Sequence, residues 1–309
     1  MKTLINLIKA LLICSLLVLT SCKNHVSIFI SDIKYETSGP DSGSLVIVGG
    51  NMKDSAIINR FIALAGGADA PMIVIPTASG EKEIDITRTA EILTSAGARN
   101  VTVLHTYDAT VANSEAFVLS LRKARGVWFN GGRQWRLVDA YANTLTEKEI
   151  RNVLARGGVI GGSSAGATIQ GSYLVRGDTK ANTIMMGDHD QGFAYLKNSA
   201  IDQHLLVRNR QNDLPAVISK YPYLLGIGLD ENTAIVVKGN EFEVIGQSFV
   251  AIYDYNLWQE NPSGSRKLQK GAKFFLLRKG DRYNVRTREV IKWAGDPTRN
   301  IFQDTVTIR

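Results

Sequence analysis

The feature that most constrains the fold of this chain is a regular alternation of short apolar runs with longer amphipathic stretches. The apolar runs predict strands at 44–50, 72–79, 101–106, 126–132 and 157–164. The stretches between them predict helices near 53–65, 82–96, 113–123 and 146–156. Strands that are apolar on both faces and separated by helices are typical of a parallel sheet between two helical layers. We therefore expect an α/β fold with a mostly parallel sheet covered by helices on both faces.

The ends of these strands predict where a ligand would bind. Each run finishes in Gly, Ser, Thr or His rather than in a large apolar residue. In an open parallel sheet the carboxyl ends of the strands line the ligand crevice. A substrate is therefore expected at this edge of the sheet.

The last third of the chain has a different pattern. Its apolar runs are separated by turn residues without intervening helices: "TAIVVKG", "EFEVIGQS", "FVAIYD" and "AKFFLLRKGDRYNV". This pattern predicts antiparallel strands, either added to the sheet or forming a small satellite sheet. With these strands included, residues 44–309 are expected to form a single domain.

The N-terminus is typical of an export signal. Lys2 and Lys9 precede an apolar stretch that is too short to span a bilayer comfortably. Small residues and then Cys22 follow this stretch. The sequence Leu-Thr-Ser-Cys at this point resembles the lipobox of bacterial lipoproteins. We expect residues 1–21 to be removed and Cys22 to be acylated, which places the protein on the exported side of a bacterial membrane. An ordinary secretory signal or an uncleaved anchor remains the alternative.

The residues after Cys22 are expected to be a tether. Residues 22–43 are polar and turn-rich apart from one short apolar patch. Removal of the leader would also remove Cys14, so the mature chain would carry one cysteine and no intramolecular disulfide. The domain must then be stabilised by its apolar core alone.

The charge distribution disfavours nucleic acid as a partner. Loss of Lys2 and Lys9 with the leader lowers the formal net charge from +7 to +5. The basic residues are interspersed with acids, and no long Lys/Arg run interleaved with aromatic residues is present.

The segment "GGSSAG" at the end of the fifth apolar run fits the pattern G-x-S-x-G, with Ser164 at its centre. A serine at a strand-to-helix turn of this kind is held in a strained conformation that exposes its Oγ. The N–H of Ala165 and the following helix start can stabilise an oxyanion. The alternatives are a glycine-rich turn or a phosphate loop, although no lysine follows the glycines as a Walker-type loop requires.

A nucleophilic serine needs a base, and the chain has four histidines. His25 lies in the tether, which leaves His105, His189 and His204 as candidates by position.

Four motifs together narrow this choice: "FNGGRQ", "GGSSAGA", "IDQHLLVRNR" and "GIGLDENTA". Their residues and order resemble the serine peptidase family of cyanophycinase and peptidase E, over roughly residues 44–255. The resemblance implies a three-layer sandwich like that of class I glutaminases, with Ser164 as nucleophile and His204 as its base.

The resemblance also implies the remaining site residues. Five would line the pocket beside the serine: Gln134, Asp202, Gln203, Arg208 and Arg210. The oxyanion hole would combine the N–H of Ala165 with that of Gly131 or Gly132. In this family the acid falls between serine and histidine in the sequence, and Asp178 is the nearest match, with Asp188 and Asp190 as rivals.

The implied activity is hydrolysis of β-aspartyl (isopeptide) bonds, such as β-Asp-Arg in cyanophycin or in related acidic peptides. Arginine can hold the free carboxylate of such a unit with a bidentate fork. One position departs from the family pattern, because Asp213 stands where a third arginine is usual. This acid would either reshape the pocket or pair with a basic group of the substrate.

Other functional classes remain as alternatives. An α/β-hydrolase esterase also carries its nucleophile on a strand-to-helix turn, and a catalytically silent lipoprotein could bind acidic peptides. A metal at Asp188, His189 and Asp190 is disfavoured because consecutive side chains rarely converge on one ion. A dinucleotide cofactor is disfavoured because Gly49 and Gly50 lack the rest of the G-x-G-x-x-G pattern. We therefore expect no cofactor, and the sequence leaves a homodimer open.

Overall fold

The computed structural model describes residues 36–80, 84–259, 268–295, 298–302 and 304–305. The predicted leader, Cys22 and the first part of the tether lie outside these described residues. Within them, no helix has the length and apolar character needed to cross a membrane.

Within the described ranges, fourteen strands form two sheets. The strands are β1 (Ser44–Val48), β2 (Met72–Ile75), β3 (Val101–Val103), β4 (Gly126–Phe129), β5 (Val159–Ser163), β6 (Gly171–Tyr173), β7 (Leu196–Gln203), β8 (Leu225–Leu229), β9 (Thr233–Lys238), β10 (Glu241–Gly246), β11 (Phe249–Tyr253), β12 (Phe275–Arg278), β13 (Arg282–Asn284) and β14 (Glu289–Lys292).

The main sheet has nine strands in the order β14-β13-β10-β9-β1-β5-β4-β2-β3. The five strands from β1 to β3 in this order are parallel, in agreement with their apolar character on both faces. The four strands on the other side of β1 are antiparallel. The carboxyl ends of the parallel strands therefore share one edge, where Ser163 ends β5.

Alternate side chains of the parallel strands enter different cores. In β1, Leu45 and Ile47 belong to one buried cluster, whereas Val46 and Val48 belong to another on the opposite face. A sheet buried on both faces is the arrangement that the apolar runs predicted, and the α/β fold class is confirmed.

Eight α-helices and two 3-10 helices are present in the described residues. The α-helices are α1 (Ser55–Ala65), α2 (Ile86–Thr94), α3 (Ala109–Ala112), α4 (Glu115–Val118), α5 (Trp135–Tyr141), α6 (Leu145–Ala155), α7 (Ala165–Thr168) and α8 (Leu214–Lys220), and the 3-10 helices are Thr77–Ser79 and Tyr255–Leu257.

The beginning of a helix is set locally by its cap. Asp54 accepts a hydrogen bond from the N–H of Ala56 at the start of α1, and Asp85 accepts one from Arg88 at the start of α2. At its other end α1 stops at Gly66, which adopts a left-handed conformation.

The second sheet has five strands in the order β12-β11-β8-β7-β6. Its strands β6, β7 and β8 are parallel, and β11 and β12 are antiparallel additions. One face contributes to the larger core together with the main sheet, and the other packs against α8. The last third of the chain therefore contributes both to the main sheet and to a second one.

The folded domain begins earlier in the chain than the expected end of the tether at residue 43. Ser38 forms an antiparallel bridge with Lys197. Thr37 is fully buried, and its Oγ1 donates to the carbonyl of Asn198 at 3.2 Å. Because this segment is held by backbone pairing and burial, it belongs to the folded domain.

Candidate active site

Ser164 stands in a sharp turn between β5 and α7. Its backbone has φ 57° and ψ −113°, a conformation that non-glycine residues rarely adopt. The carbonyl of Ser164 accepts the N–H groups of Ala167 and Thr168, so the chain enters the helix immediately after the turn. The side chain is thereby presented at the carboxyl edge of the sheet, as G-x-S-x-G predicted.

The glycines of this motif are required by close packing. A Cβ on Gly162 would lie 2.3 Å from the carbonyl oxygen of Gly166, and a Cβ on Gly166 would lie 2.1 Å from the carbonyl oxygen of Phe129. Both distances are far below any contact that a real side chain makes. The small residues therefore allow the turn to pack directly on the neighbouring strand β4.

His204 is the histidine that the structure places against the serine. Its Nε2 lies 2.9 Å from Ser164 Oγ, within hydrogen-bond distance. His204 follows directly after β7 and is buried, with 6 % of its surface exposed. His105 instead contacts Thr77, and His189 lies between the carboxylates of Asp139 and Asp188.

Glu231 is the acid that contacts the histidine. Its Oε1 lies 2.6 Å from His204 Nδ1, and its Oε2 accepts a hydrogen bond from Asn51 at 2.7 Å. A proton on Nδ1 leaves Nε2 free to accept the proton of the serine hydroxyl. The three side chains thus form a continuous chain from hydroxyl to carboxylate.

Asp178, the nearest match for the acid by resemblance, does not occupy this position. Asp178 Oδ1 accepts the backbone N–H groups of Lys180 and Ala181, so its carboxylate stabilises a turn. The rival Asp188 accepts hydrogen bonds from Thr179, and the carbonyl of Asp190, rather than its side chain, accepts the N–H of Leu174. Neither Asp178 nor its rivals contacts His204.

Glu231 was missed although it lies in the quoted motif "GIGLDENTA". It comes directly after β8 in the pair Asp230-Glu231, downstream of the histidine rather than between serine and histidine. The signal that could have found it is its position at the end of a strand parallel to β7, since such strand ends share one edge.

The segment after β1 holds both the histidine and the acid. The N–H of His204 donates to the carbonyl of Gly49, and a Cβ on Gly50 would lie 2.2 Å from His204 Cε1. The carbonyl of Gly50 accepts the N–H of Asn232. Gly49 and Gly50 therefore bring the backbone up to the imidazole, which explains a glycine pair that the sequence analysis had weighed as a dinucleotide loop.

The two glycines predicted for the oxyanion hole lie in the loop after β4. A Cβ on Gly131 would lie 3.3 Å from Ser164 Cβ, so this residue borders the nucleophile. Gly132 has φ 141°, and a Cβ there would lie 2.0 Å from the carbonyl oxygen of Ala78. Ala165 is the first residue of α7, and its backbone N–H is one of the groups that a helix start leaves without an intrahelical partner.

The environment of His204 favours the neutral imidazole. Burial lowers its pKa from the usual value of 6.5, and the nearby Arg208 and Arg210 charges lower it further, against the opposing effect of Glu231. Glu231 itself is desolvated, but its hydrogen bonds from Asn51 and His204 hold its pKa below the usual value. A neutral imidazole beside an ionised carboxylate is the state that a general base requires.

Arg210 is a buried guanidinium without an acidic partner among the described residues. Its side chain donates to two oxygens of Gln203, the carbonyl at 3.1 Å and Oε1 at 2.8 Å. Burial lowers the pKa of Arg210, and the neighbouring Arg176 lowers it further. A desolvated positive charge that contacts only neutral oxygens is suited to bind an anionic group.

Asp202 and Asp213 are paired within the protein instead. Arg176 donates to both carboxylate oxygens of Asp202, at 2.8 and 3.0 Å, and also to Asp213. The Asp202 and Arg176 side chains are almost fully buried. The acid that replaces the expected third arginine thus shares an internal arginine with Asp202, an arrangement that the sequence did not predict.

The other two residues predicted for the pocket, Gln134 and Arg208, differ in exposure. Gln134 is 1 % exposed, and its Nε2 donates to the carbonyls of Val175 and Arg176 at 2.6 and 2.9 Å. It therefore fixes the backbone that leads to Arg176. Arg208 is exposed, and its backbone N–H donates to the carbonyl of His204.

The described residues contain no group of three or more His, Cys, Asp or Glu side chains arranged to hold a metal ion.

Comparison with known proteins shows the family to which this chain belongs. The family model of peptidase family S51 matches residues 45–245, well over half of the chain. The chain belongs to peptidase family S51.

Two cyanophycinases are similar to this chain over most of their length. The cyanophycinase of Geminocystis herdmanii is 31 % identical over 258 residues, which cover 80 % of this chain and 95 % of the relative. The cyanophycinase of Synechococcus elongatus is 29 % identical over 273 residues, which cover 84 % of each chain.

Solved structures share the S51 fold at lower identity. A peptidase from an acI-B1 actinobacterium superposes with a TM-score of 0.59 at 22 % identity, covering 79 % of this chain and 97 % of that one. A putative peptidase E protein from Listeria monocytogenes superposes with a TM-score of 0.50 at 19 % identity, covering 67 % and 99 %. The chain is thus an S51 peptidase by family and by fold.

Proposed function

We propose that this S51 protein is a serine peptidase in which Ser164, His204 and Glu231 act as nucleophile, base and orienting acid. The observation that carries the proposal is the unbroken hydrogen-bonded chain from Ser164 Oγ through the imidazole to Glu231. The strained backbone at Ser164 supports the proposal, because residues in strained conformations cluster at active sites, where the surrounding structure holds them in place.

The proposed reaction proceeds through an acyl-enzyme. Ser164 Oγ attacks the scissile carbonyl carbon as its proton passes to His204 Nε2, and the carbonyl oxygen becomes an oxyanion. The N–H groups of Ala165 and Gly131 are the proposed oxyanion donors, with Gly132 as an additional one. His204 then returns the proton to the leaving amine, and a water molecule hydrolyses the acyl-enzyme by the same steps.

For the substrate we propose peptides that contain β-aspartyl units, such as cyanophycin or related acidic peptides. Each such unit carries a free carboxylate close to an amide bond. Arg210 supplies a buried positive charge six residues after His204, and exposed Arg208 adds a second charge on the surface. Because Asp213 stands in place of an arginine and Asp202 already pairs with Arg176, the site carries less positive charge than the family pattern implies, which favours substrates with few carboxylates.

Export and lipid anchoring through Cys22 are part of the proposal. They rest on the lysines, the apolar stretch and the Leu-Thr-Ser-Cys sequence of the N-terminus. The substrate would then be met outside the cytoplasm.

The test of the proposed function compares the protein with Ser164→Ala. A fluorophosphonate probe should label the wild type and not the variant, and hydrolysis of β-Asp-Arg, β-Asp-Lys and cyanophycin should fall by about three orders of magnitude or more. Identification of the products by mass spectrometry shows which amide bond is cleaved.

Ser163→Ala is the matched control, because it removes the neighbouring hydroxyl and leaves the elbow intact. It should retain labelling and most of the activity. Wild-type protein that folds but neither labels nor hydrolyses any of these peptides would instead support a silent peptide-binding protein.

A further inference from the structure

A groove of about 880 Å³ lies beside the serine turn, between α1 and α2. Its inner end is formed by Ser163, which directly precedes the nucleophile, and by Gly131, which borders the Ser164 side chain. Its volume is within the range of small-molecule binding sites, about 300–1,000 Å³. The groove is therefore large enough for part of a substrate, and its inner end adjoins Ser164 through Ser163 and Gly131.

The groove is distinct from the arginine-bearing pocket. It is lined by α1, α2, the loops that follow β1, β2 and β4, and residues of β4 and β5, so it lies on the main sheet. Gln203 ends β7 in the second sheet, Arg210 follows that strand, and neither residue lines the groove. A peptide that crosses Ser164 can thus have one portion in each site.

The position of the histidine indicates which portion enters the groove. Two residues of the groove wall, Lys53 and Asp54, donate their backbone N–H groups to Asn232 Oδ1, and Asn232 directly follows Glu231, the acid that contacts His204. In acyl transfer the leaving amine takes its proton from the imidazole, so the leaving portion lies on the imidazole side. We propose that the groove binds the leaving portion of the peptide, an inference that rests on the proposed function.

The side chains of the groove indicate the character of this portion. Ile58 and Trp128 provide a buried apolar floor. The rim carries two bases and two acids: Lys53, Arg88, Asp54 and Asp85. The two bases form no ion pair with any described residue, and the two acids each cap a helix through one oxygen. A peptide that carries both acidic and basic side chains is complementary to this rim.

The floor also contains polar groups that lack partners. Asn130 Oδ1 and Trp128 Nε1 are buried without a hydrogen bond in the described structure, and both residues line the groove. Buried polar groups of this kind are rare and call for a partner. Rotation of the Asn130 carboxamide would present it to the main chain of a bound peptide, which can both donate and accept.

The experiment fills the groove and varies the length of the leaving portion. Asn59 is exposed on the α1 wall, so Asn59→Trp should occlude the groove without disturbing the core. For substrates with three residues on the leaving side, kcat/KM should fall by about tenfold or more, whereas substrates with one such residue should be unaffected. Thr89→Trp, on the α2 wall, provides a second occluding variant.

Arg60→Trp is the matched control. Arg60 follows Asn59 on the same helix but contacts Glu243 outside the groove. This variant should leave kcat/KM unchanged for both substrate lengths. Equal losses on short and long substrates in Asn59→Trp would overturn the groove proposal.

A charge reversal tests the character of the ligand. Arg88→Glu should lower kcat/KM for leaving portions with aspartate side chains and not for the same peptides with asparagine. An identical response to both peptides would contradict the assignment of charge complementarity.

Fluorophosphonate labelling separates this proposal from the proposed function. The probe has no leaving peptide, so Asn59→Trp should label at the wild-type rate. Failure of the wild type to label contradicts the proposed function, whereas normal labelling with no dependence on leaving-portion length contradicts the groove alone.

Discussion

At the scale of single residues, the contact of Ser164 with His204 was predictable from the sequence, whereas the contact of His204 with Glu231 was not. A small-residue motif and four ordered motifs identified the serine and the histidine. The resemblance implied an acid between the serine and the histidine in the sequence. The carboxylate that contacts His204 is instead that of Glu231, which follows β8. Many carboxylates can cap a turn, as Asp178 does, and only the three-dimensional arrangement shows which one contacts the imidazole.

This correction leads to a prediction about two acids. Glu231→Gln should lower kcat by about three to four orders of magnitude, because an amide can no longer stabilise the imidazolium or fix its tautomer. Asp178→Asn should retain most of the activity, since an asparagine oxygen can still accept both backbone N–H groups of its turn. Steady-state kinetics on the same substrate measures both. Comparable losses in the two variants would contradict the assignment.

The pH dependence provides a second readout of the same pair. Burial and neighbouring arginines lower the pKa of His204, and Glu231 opposes them. The base is active when neutral, so kcat/KM of the wild type should decline only below about pH 6.5. In Glu231→Gln the opposing effect is lost, so the decline should move to still lower pH.

At the scale of elements, the sequence predicted the order of strands and helices better than their ends. The first five strands were found, but each was predicted longer than it is, because the small residues that follow a strand form the site loops. Short helices such as α5 and α8 were missed. Helix α5 has only seven residues, too few for apolar periodicity to be recognised.

The loop after β1 carries a prediction at this scale. Gly50 has φ 128° and lies against the imidazole, so Gly50→Ala should displace His204 and lower both kcat and the rate of fluorophosphonate labelling. Gly67→Ala is the control, because Gly67 has φ 100° but no atom lies within 4 Å of its added Cβ. Both substitutions strain the backbone. Loss of activity in both to the same degree would mean that backbone strain alone is responsible.

At the scale of the whole molecule, the sequence predicted one α/β domain and left the arrangement of its last third open. Antiparallel runs such as β9 and β11 have the same local pattern, yet β9 joins the main sheet and β11 joins the second. Contacts between segments that are distant in the chain decide which sheet a strand joins. These contacts cannot be predicted from the local sequence pattern.

The N-terminal proposal is also tested on the whole protein. Cys22→Ser removes the thiol that would be acylated, so the protein should move from the membrane fraction to the soluble fraction. Its specific activity should not change, because the proposed catalytic side chains all lie in the folded domain. Retention of the variant in membranes would instead indicate an uncleaved N-terminal helix.

The division of the site between two sheets has a consequence for folding. Ser164 is carried by the main sheet, whereas His204 and Glu231 follow strands of the second. The strands that bring them together are far apart in sequence, and pairings of this kind form slowly. A growing chain would contain Ser164 before the proposed base and acid had been synthesised, so it would remain inert until the two sheets had formed and brought the three side chains together.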